Sequence, residues 1–325
     1  MLKSQTKKFL SIFIKIAILG LASWSIYDRL SNNRSISNFR MLLDKLDPES
    51  VWIVMSSLFL LMFLNWFIEA LKWKFLVQKI EIISIWKAVE SVFCGLTWAV
   101  FTPNRIGEYG GRVFFLSPNK RIKGAVAMTV GAFGQLVLIN VLGSLALSWF
   151  IIRFMDLNSL MNFSISLLAL AFSGFFLLFF FNIHWINGLL SKIKFLKPYK
   201  RFFIIFSKFK FSELLQILMY SLSRIMIFST QYFLIIHLLL PEIDPLDMVL
   251  ILFIFYFIQS TMPSLDLLDI GLRVTTAAYF FSFVTNQEIA VMAAVASIWL
   301  INLIIPAILG SVFVLKLNFF GSSRN

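Results

Sequence analysis

The sequence predicts an all-α integral membrane protein with about six crossing helices and two oppositely oriented re-entrant hairpins in an inverted repeat. Of its 325 residues, 59% are hydrophobic and 14% are charged, far below the roughly 25% charged residues of a soluble domain. Apolar runs of about 20 residues recur, the length that crosses a hydrocarbon core of about 30 Å. The sustained period-2 alternation that a membrane barrel requires is missing. Two further apolar regions are interrupted by proline, glycine and charge, which makes them candidate hairpins.

The charge balance excludes some classes of function. Lysine and arginine number 29 against 16 aspartate and glutamate, but the positive charge lies in loops beside apolar spans, where it sets orientation and attracts anionic lipid. We therefore expect membrane lipids as partners and no nucleic acid. His184 and His237 lack metal-ligand spacing and Cys94 is the only cysteine, so we expect neither a metal site nor a cofactor.

Residues 1–50 are predicted to form a membrane anchor and an external loop. The first apolar run, Phe9–Tyr27, follows three lysines, as a signal peptide would. Its apolar length exceeds that of a usual signal peptide and Ser23-Trp24-Ser25 is a poor cleavage site, so we interpret the run as an anchor with a cytoplasmic amino terminus. The unbroken spans that follow are Val51–Leu71, Gly124–Ile152, Phe163–Phe181, Glu213–Leu240 and Glu288–Leu315.

The charge of the loops predicts whether each broken region crosses the membrane or returns to the side from which it enters. These regions are residues 85–115 and 246–284. Basic residues flank the first region on both sides, so the positive-inside rule places both ends in the cytoplasm, as in a hairpin that enters and returns. A single crossing would place the strongly basic loop 184–212 outside. With hairpins, this loop and both termini are cytoplasmic, and we expect the loop to attract anionic lipid headgroups. The same reasoning makes 246–284 a hairpin that enters from outside.

A pattern of span, hairpin and span thus occurs twice. Residues 51–152 form the first repeat and residues 213–325 the second, in the opposite orientation, with a span and the basic loop between them at 153–212. Inverted repeats with broken helices are typical of transporters, because helix ends meet near the midplane and the halves can rock to alternate access. The predicted location is a bacterial inner membrane.

The first break reads TPNRIGEYGGR, Thr102 to Arg112, and contains candidate substrate-binding residues. Pro103 cannot continue the preceding helix without losing a hydrogen bond. If a helix restarts near Asn104, three charged side chains project from one face; these are Arg105, Glu108 and Arg112. Gly107 leaves the neighbouring surface bare, so a second backbone or a lipid headgroup can approach closely.

The second break reads TMPSLDLLDIGLR and repeats this chemistry. Pro263 and Gly271 are its helix breakers, and Asp266, Asp269 and Arg273 are its charged candidates for substrate binding. As in the first break, an acid precedes an arginine by four positions, and such pairing makes charge tolerable in a membrane. The alternative is that the pairs only lock the hairpins together, or lie shallow with their charges snorkelling to the interface.

Arg224 is a further candidate because it lies inside a predicted span. It is eleven residues into Glu213–Leu240, about 16 Å deep at 1.5 Å per residue. No acid lies nearby in sequence, so we expect a partner from elsewhere, and the candidates are Glu108, Asp266, Asp269 or an anionic phosphate. A plain salt bridge within the bundle is the alternative.

These motifs resemble a known family. Leu71-Lys72-Trp73-Lys74, followed by a second motif, is similar to the flippase-like membrane region of lysylphosphatidylglycerol synthases, the multiple peptide resistance factor family. The residues of that second motif at the family's spacing are Pro103, Arg105, Gly107, Glu108 and Arg112. The second break departs from the family, since Ser264–Ile270 replaces a glycine pair. The resemblance implies movement between leaflets of a lipid with a polar headgroup, aminoacylated phosphatidylglycerol or a polyprenyl-phosphate-linked sugar.

Two other functions remain open at this point. The chain has no soluble region long enough for a transferase domain and no Walker loop, so we expect a transporter and no enzyme. A membrane-embedded enzyme would use Glu108 or Asp269 as general base, but no Ser and His constellation or metal ligand set accompanies them. The third reading is a scaffold for a partner enzyme. The sequence also leaves a homo-oligomer open.

Overall fold

The computed structural model describes residues 33–100, 102–185, 188, 204–262 and 270–314. Within these ranges the chain forms only helices and connecting segments. Helices long and apolar enough to cross a membrane are Pro48–Val77, Pro118–Phe154, Ser159–Phe181, Phe211–Leu239 and Glu288–Val314. They coincide with five of the six predicted spans and are compatible with a multi-pass membrane protein. The remaining predicted span, Phe9–Tyr27, lies outside the described residues.

We label the helices in chain order. They are α1 (Asn33–Leu43), α2 (Pro48–Val77), α3 (Ile85–Val100), α4 (Ile106–Val113), α5 (Arg121–Phe154), α6 (Ser159–Phe181), α7 (Phe211–Leu239), α8 (Pro245–Thr261), α9 (Ile270–Phe281) and α10 (Glu288–Val314).

Several helices begin where the sequence supplies a cap. The Asp47 carboxylate accepts a hydrogen bond from the Ser50 backbone N–H at 2.8 Å and starts α2, whose first residue is a proline. Asn158 starts α6 in the same way. Asp244 accepts from two backbone N–H groups at the start of α8, and Pro245 again occupies the first turn. These caps satisfy N–H groups that no helical carbonyl can reach.

Helices α3 and α4 form an antiparallel pair on either side of the first break. A methyl group at Gly111 would lie 2.6 Å from the Gly95 Cα, and one at Gly107 would lie 2.3 Å from the Trp98 carbonyl oxygen. Residues later in α4 thus lie beside residues earlier in α3. Because the two backbones touch at these points, only glycine fits, which confirms the close approach predicted for Gly107.

Helices α8 and α9 flank the second break and pack against each other. The Arg273 Nη1 on α9 donates to the Gln259 Oε1 on α8 at 2.8 Å. The intervening predictions, Pro263, Asp266 and Asp269, lie outside the described residues.

The helices of the two predicted repeats interlock. Helix α2 packs on α7, α3 packs on α10, and α8 packs on α5. The last two contacts depend on glycine: a methyl group at Gly310 would lie 2.0 Å from the Phe93 carbonyl oxygen, and one at Gly143 would lie 2.3 Å from the Phe257 Cβ. The main hydrophobic core lies between these helices, whereas α6 buries few residues and exposes Phe163, Phe172 and Phe175.

Candidate functional site

The site is a cavity of about 410 Å³ lined by residues of α2, α4, α5, α7, α9 and α10. Its described lining contains two carboxylates, Glu69 and Glu108. The same lining contains five cationic side chains, which are Lys72, Arg105, Arg112, Arg224 and Arg273. The cavity therefore gathers five of the predicted site residues and adds two that the sequence analysis did not single out.

Glu69 is the centre of this charge network. Its carboxylate accepts from the Lys72 Nζ at 2.7 Å, from the Arg112 Nη1 at 2.6 Å and from the Arg224 Nη1. Its side chain is 6% exposed. One buried carboxylate thus neutralises part of the charge of three cations, and an anion in this position is needed for the cations to be buried at all.

Helix α2 presents one polar face to the cavity. Asn65, Glu69 and Lys72 follow each other by four and three positions, so they lie on the same side of the helix. The Asn65 Oδ1 accepts from the Arg224 Nε at 3.0 Å. The neighbouring Trp66 ring lies 5.1 Å from the Arg224 guanidinium carbon, a cation–π contact. Asn65, Trp66 and Glu69 of α2 thus all contact the Arg224 guanidinium group on α7.

Gln135 on α5 completes the shell around the Arg224 guanidinium. Its Oε1 accepts from the Arg224 Nη1 at 3.0 Å and lies 3.5 Å from the Lys72 Nζ. Arg224 is near the middle of α7, and Phe228 and Tyr232 follow it on the same face, both lining the cavity. The charged centre therefore lies deep in a helix long enough to cross a membrane.

The turn between α3 and α4 has an unusual backbone. Asn104 and Arg105 have φ values of 50° and 56°, a left-handed conformation that costs a non-glycine residue about 1 kcal/mol or more. The Gly107 backbone N–H donates to the Thr102 Oγ1 at 2.7 Å, and the Thr102 hydroxyl is 3.0 Å from the Trp98 carbonyl oxygen. These bonds cap α4 and hold the turn.

The second helix starts close to the predicted position. Helix α4 begins at Ile106, two residues after Asn104, because two left-handed residues follow Pro103. Arg105 is the residue before the helix, yet its Nε still donates to the Glu108 Oε2 at 3.0 Å. Its side chain is 35% exposed, so Arg105 lies at the edge of the cavity.

The predicted pair of Glu108 and Arg112 is confirmed. The Arg112 Nη2 donates to the Glu108 Oε1 across one turn of α4, while the Nη1 reaches Glu69 on α2. The Arg112 side chain is 1% exposed. Arg112 thus joins the two carboxylates of the cavity.

The second predicted repeat contributes through α7, α9 and α10. Arg273 lines the cavity and donates to Gln259, as described above, and Gly271 lies two residues before it in the first turn of α9. Helix α10 widens into a π-helical turn at Leu300–Ile304, which includes the cavity-lining Asn302. Pro306 follows directly and has no N–H to bond to the Asn302 carbonyl, which explains the local change in winding.

Buried donors remain around the centre. The Asn65 Nδ2, the Trp66 Nε1 and the Arg112 Nε are buried and have no hydrogen-bond partner among the described residues. Unpartnered buried donors cost free energy. Such donors suit an anion with several oxygens.

Sequence reasoning missed Glu69 and misplaced Lys72. Glu69 is the only charged residue in the predicted span Val51–Leu71, and that isolation was a signal for a functional residue. Lys72 was counted with the cytoplasmic loop cations, but α2 continues to Val77 and buries it. Arg224 was expected to pair with an acid from a break or with phosphate, and its carboxylate partner in the described chain is Glu69.

No group of three or more metal-ligating side chains occurs among the residues that the structure describes. The chain matches no family model, no curated protein and no solved structure. Its function is therefore inferred from the geometry of this cavity.

Proposed function

We propose that this protein moves a lipid with an anionic phosphate headgroup between the leaflets of a membrane. The observation that supports this most is the cavity around Glu69, whose described lining has five cations and two carboxylates. Charge buried in a membrane is costly unless it is paired, and the buried Arg112 and Arg224 are residues with which a bound anion can pair.

The arginines give the proposed site its chemistry, because a guanidinium presents a planar set of donors that matches phosphate oxygens. Arg105, at the edge of the cavity, would meet the headgroup first. Arg112, Arg224 and Arg273 would hold it further in. The acids that would balance these charges when no lipid is bound are Glu108, Asp266 and Asp269, the last two outside the described residues.

A lipid also needs a lateral path for its tail. Ala132 and Leu136 lie one turn apart on α5, and both line the cavity and are exposed. In a membrane, this face of α5 meets acyl chains. A headgroup could enter the cavity here while its tail stays in the bilayer. A soluble anion has no tail and would not require such a lateral opening.

Helix packing supports an inverted repeat. Suppose that α2, α3, α4 and α5 correspond, in this order, to α7, α8, α9 and α10. Exchange of the two halves then turns the contact between α3 and α10 into the contact between α8 and α5, and it leaves the contact between α2 and α7 unchanged. A two-fold exchange of the halves predicts this pattern. Helix α3 has 16 residues, about 24 Å, too short to cross a core of about 30 Å. We infer re-entrant hairpins that enter from opposite sides.

Loop charge supports a cytoplasmic position for both termini and for the basic loop 184–212, and the location that we propose is a bacterial inner membrane. The resemblance of the first break to the flippase-like family points to the same activity. Aminoacylated phosphatidylglycerol and polyprenyl-phosphate-linked lipids are the headgroup classes that we propose.

Translocation in vesicles tests this proposal. The protein is reconstituted with tail-labelled fluorescent phosphatidylglycerol or polyprenyl phosphate, with phosphatidylcholine as the comparator without net charge, and dithionite bleaches the outer leaflet. We expect the wild type to expose inner-leaflet anionic lipid to bleaching. Arg105→Ala should slow this by about tenfold, since a hydrogen bond from a charged group is lost.

Arg40→Ala is the matched control, because Arg40 lies exposed on α1 and does not line the cavity. It should leave translocation unchanged. Bleaching equal to that of empty vesicles for both anionic lipids would overturn the proposal. So would equal translocation of phosphatidylcholine, or an Arg105→Ala protein that folds and moves lipid like the wild type.

A further inference from the structure

The two oxygens of Glu69 pair with arginines from different halves of the molecule. The Oε1 accepts from the Arg112 Nη1 at 2.6 Å, and the Oε2 accepts from the Arg224 Nη1 as well as from the Lys72 Nζ of its own helix. Arg112 lies on α4 and Arg224 on α7. One carboxylate therefore bridges two guanidinium groups, the arrangement in which arginines hold the oxygens of a phosphate.

The bridge leaves donors unused. The Arg112 Nε, the Trp66 Nε1 and the Asn65 Nδ2 are buried and have no hydrogen-bond partner in the described part of the chain. A carboxylate has two oxygens, whereas a phosphate group offers more acceptors and more charge. The surroundings of Glu69 thus contain more donors than Glu69 can use.

Two other glutamates show what is particular to Glu69. Glu108 also lines the cavity, but its partners Arg105 and Arg112 both belong to the first half. Glu213 on α7 pairs with Lys79, in the turn after α2, at 2.5 Å, but it does not line the cavity. Among these three, Glu69 alone combines a position in the cavity with a bridge between the halves.

We propose that Glu69 is an internal substitute for the ligand's phosphate, which holds Arg112 and Arg224 until the phosphate displaces it. This inference rests on the proposed function and assigns a residue that sets affinity and release. In the empty site the carboxylate keeps the arginines paired and the halves together. On release, it takes the arginines back and expels the headgroup.

Removal of the Glu69 charge should therefore strengthen binding. A competing negative charge within a few ångströms is lost in Glu69→Gln, and we expect roughly tenfold tighter binding of a phosphate headgroup. Release should become slower, so the rate of translocation should fall although affinity rises. A residue that only supports the fold would instead weaken both when replaced.

Isothermal titration of the purified full chain with dioctanoyl phosphatidylglycerol measures the affinity. Inorganic phosphate is titrated in parallel, and we expect it to bind more weakly than the lipid. Glu213→Gln is the matched control, because it removes an ion pair between α7 and the turn that follows α2, outside the cavity. Its affinity should equal that of the wild type.

Glu69→Gln can fail to fold, and a charge-balanced pair of variants covers that case. Lys72→Gln is compared with Glu69→Gln/Lys72→Gln, which has the local net charge of the wild type. The double variant should bind the lipid more tightly than Lys72→Gln alone. Unchanged or weaker binding in both comparisons would overturn the role of Glu69 and leave the proposed function standing.

The proposed function fails separately. If the wild type binds neither probe, both proposals are overturned. If inorganic phosphate binds as tightly as the lipid, and removal of Glu69 still raises the affinity, the ligand is a soluble phosphate. The Glu69 proposal then holds and lipid translocation does not.

Discussion

Helices α3 and α8 make corresponding contacts in the two halves of the bundle, but the described residues of each half contribute different charge to the cavity. In the described lining, the first half supplies Glu69 and Glu108 with three of the five cations, whereas the second supplies Arg224 and Arg273 and no carboxylate. Helix α3 packs on α10 as α8 packs on α5. Packing is thus shared between the halves, while Arg224 depends on a carboxylate of the other half. The ion pairs of Glu69 cross the interface between the two halves, so they form only when the halves are in contact.

The largest predicted effect on stability comes from replacement of Glu69, the carboxylate that cations of both halves share. Glu69→Ala leaves three buried cations without the carboxylate that they share, and we expect it to lower the free energy of unfolding by about 3–5 kcal/mol. Denaturation of the purified protein in detergent, followed by circular dichroism or tryptophan fluorescence, measures the change.

Replacement of Arg224, the partner of Glu69 in the second half, should lower the free energy of unfolding by less. Arg224→Ala leaves Glu69 paired with Lys72 and Arg112. Glu213→Ala, at a partly exposed ion pair near a helix end, should cost about 1 kcal/mol or less. Equal losses for all three variants would contradict the central position of Glu69.

The next effect tests whether the packing is shared. Gly310→Ala and Gly143→Ala place a methyl group against Phe93 on α3 and Phe257 on α8, the contacts that the two-fold exchange relates. Both should lose about 1–3 kcal/mol by overpacking. The measurement is again detergent denaturation.

Gly174→Ala on α6 is the control, since nothing lies within 4 Å of the added methyl group. It should be neutral or stabilise the helix by up to about 1 kcal/mol. If Gly310→Ala is costly and Gly143→Ala is neutral, the two interfaces are not equivalent and the repeat interpretation is weakened.

Local sequence information was enough for the spans and for the first break. Apolar length predicted five described spans, and the spacing of Glu108 and Arg112 predicted their pair. Periodicity carries no information on partners that are distant in the chain. Arg224 and its partner Glu69 are 155 positions apart, so the centre of the site followed only from the packing of α2 on α7.

Backbone detail was not predicted from the sequence. The left-handed Asn104 and Arg105 precede α4 and set its start at Ile106, although neither residue is a glycine. Their strain is offset by the Thr102 bond to Gly107 and by the Arg105 pair with Glu108. Such compensation depends on contacts that propensities do not include.

The smallest predicted effect concerns Glu81, in the loop that precedes the hairpin of the first half. Glu81, in the loop after α2, accepts from the Ser117 backbone N–H at 3.0 Å and lies 3.6 Å and 3.8 Å from the amines of Lys87 and Lys120. Burial raises the pKa of Glu81, but the Ser117 hydrogen bonds and the two lysines outweigh it and hold the pKa below its ordinary value of 4.5. The bond joins the two ends of the α3–α4 hairpin.

A folded-state pKa below the unfolded one stabilises the protein above pH 4.5. This stabilisation is lost as the pH falls through the lower, folded-state pKa. Glu81→Gln should therefore cost about 1 kcal/mol at pH 7, and the difference from the wild type should shrink below pH 4.5. A difference that is constant with pH would show that the Glu81 charge does not contribute.

The central claim is that the cationic cavity is a headgroup site, and mass spectrometry of lipids that co-purify in mild detergent tests it most directly. The wild type is compared with Arg105→Ala and with the surface control Arg40→Ala. We predict that an anionic phosphate lipid is enriched with the wild type and with Arg40→Ala and is lost with Arg105→Ala. Bulk lipid in the same proportions from all three proteins would contradict the claim and leave the charge network of TPNRIGEYGGR a structural lock.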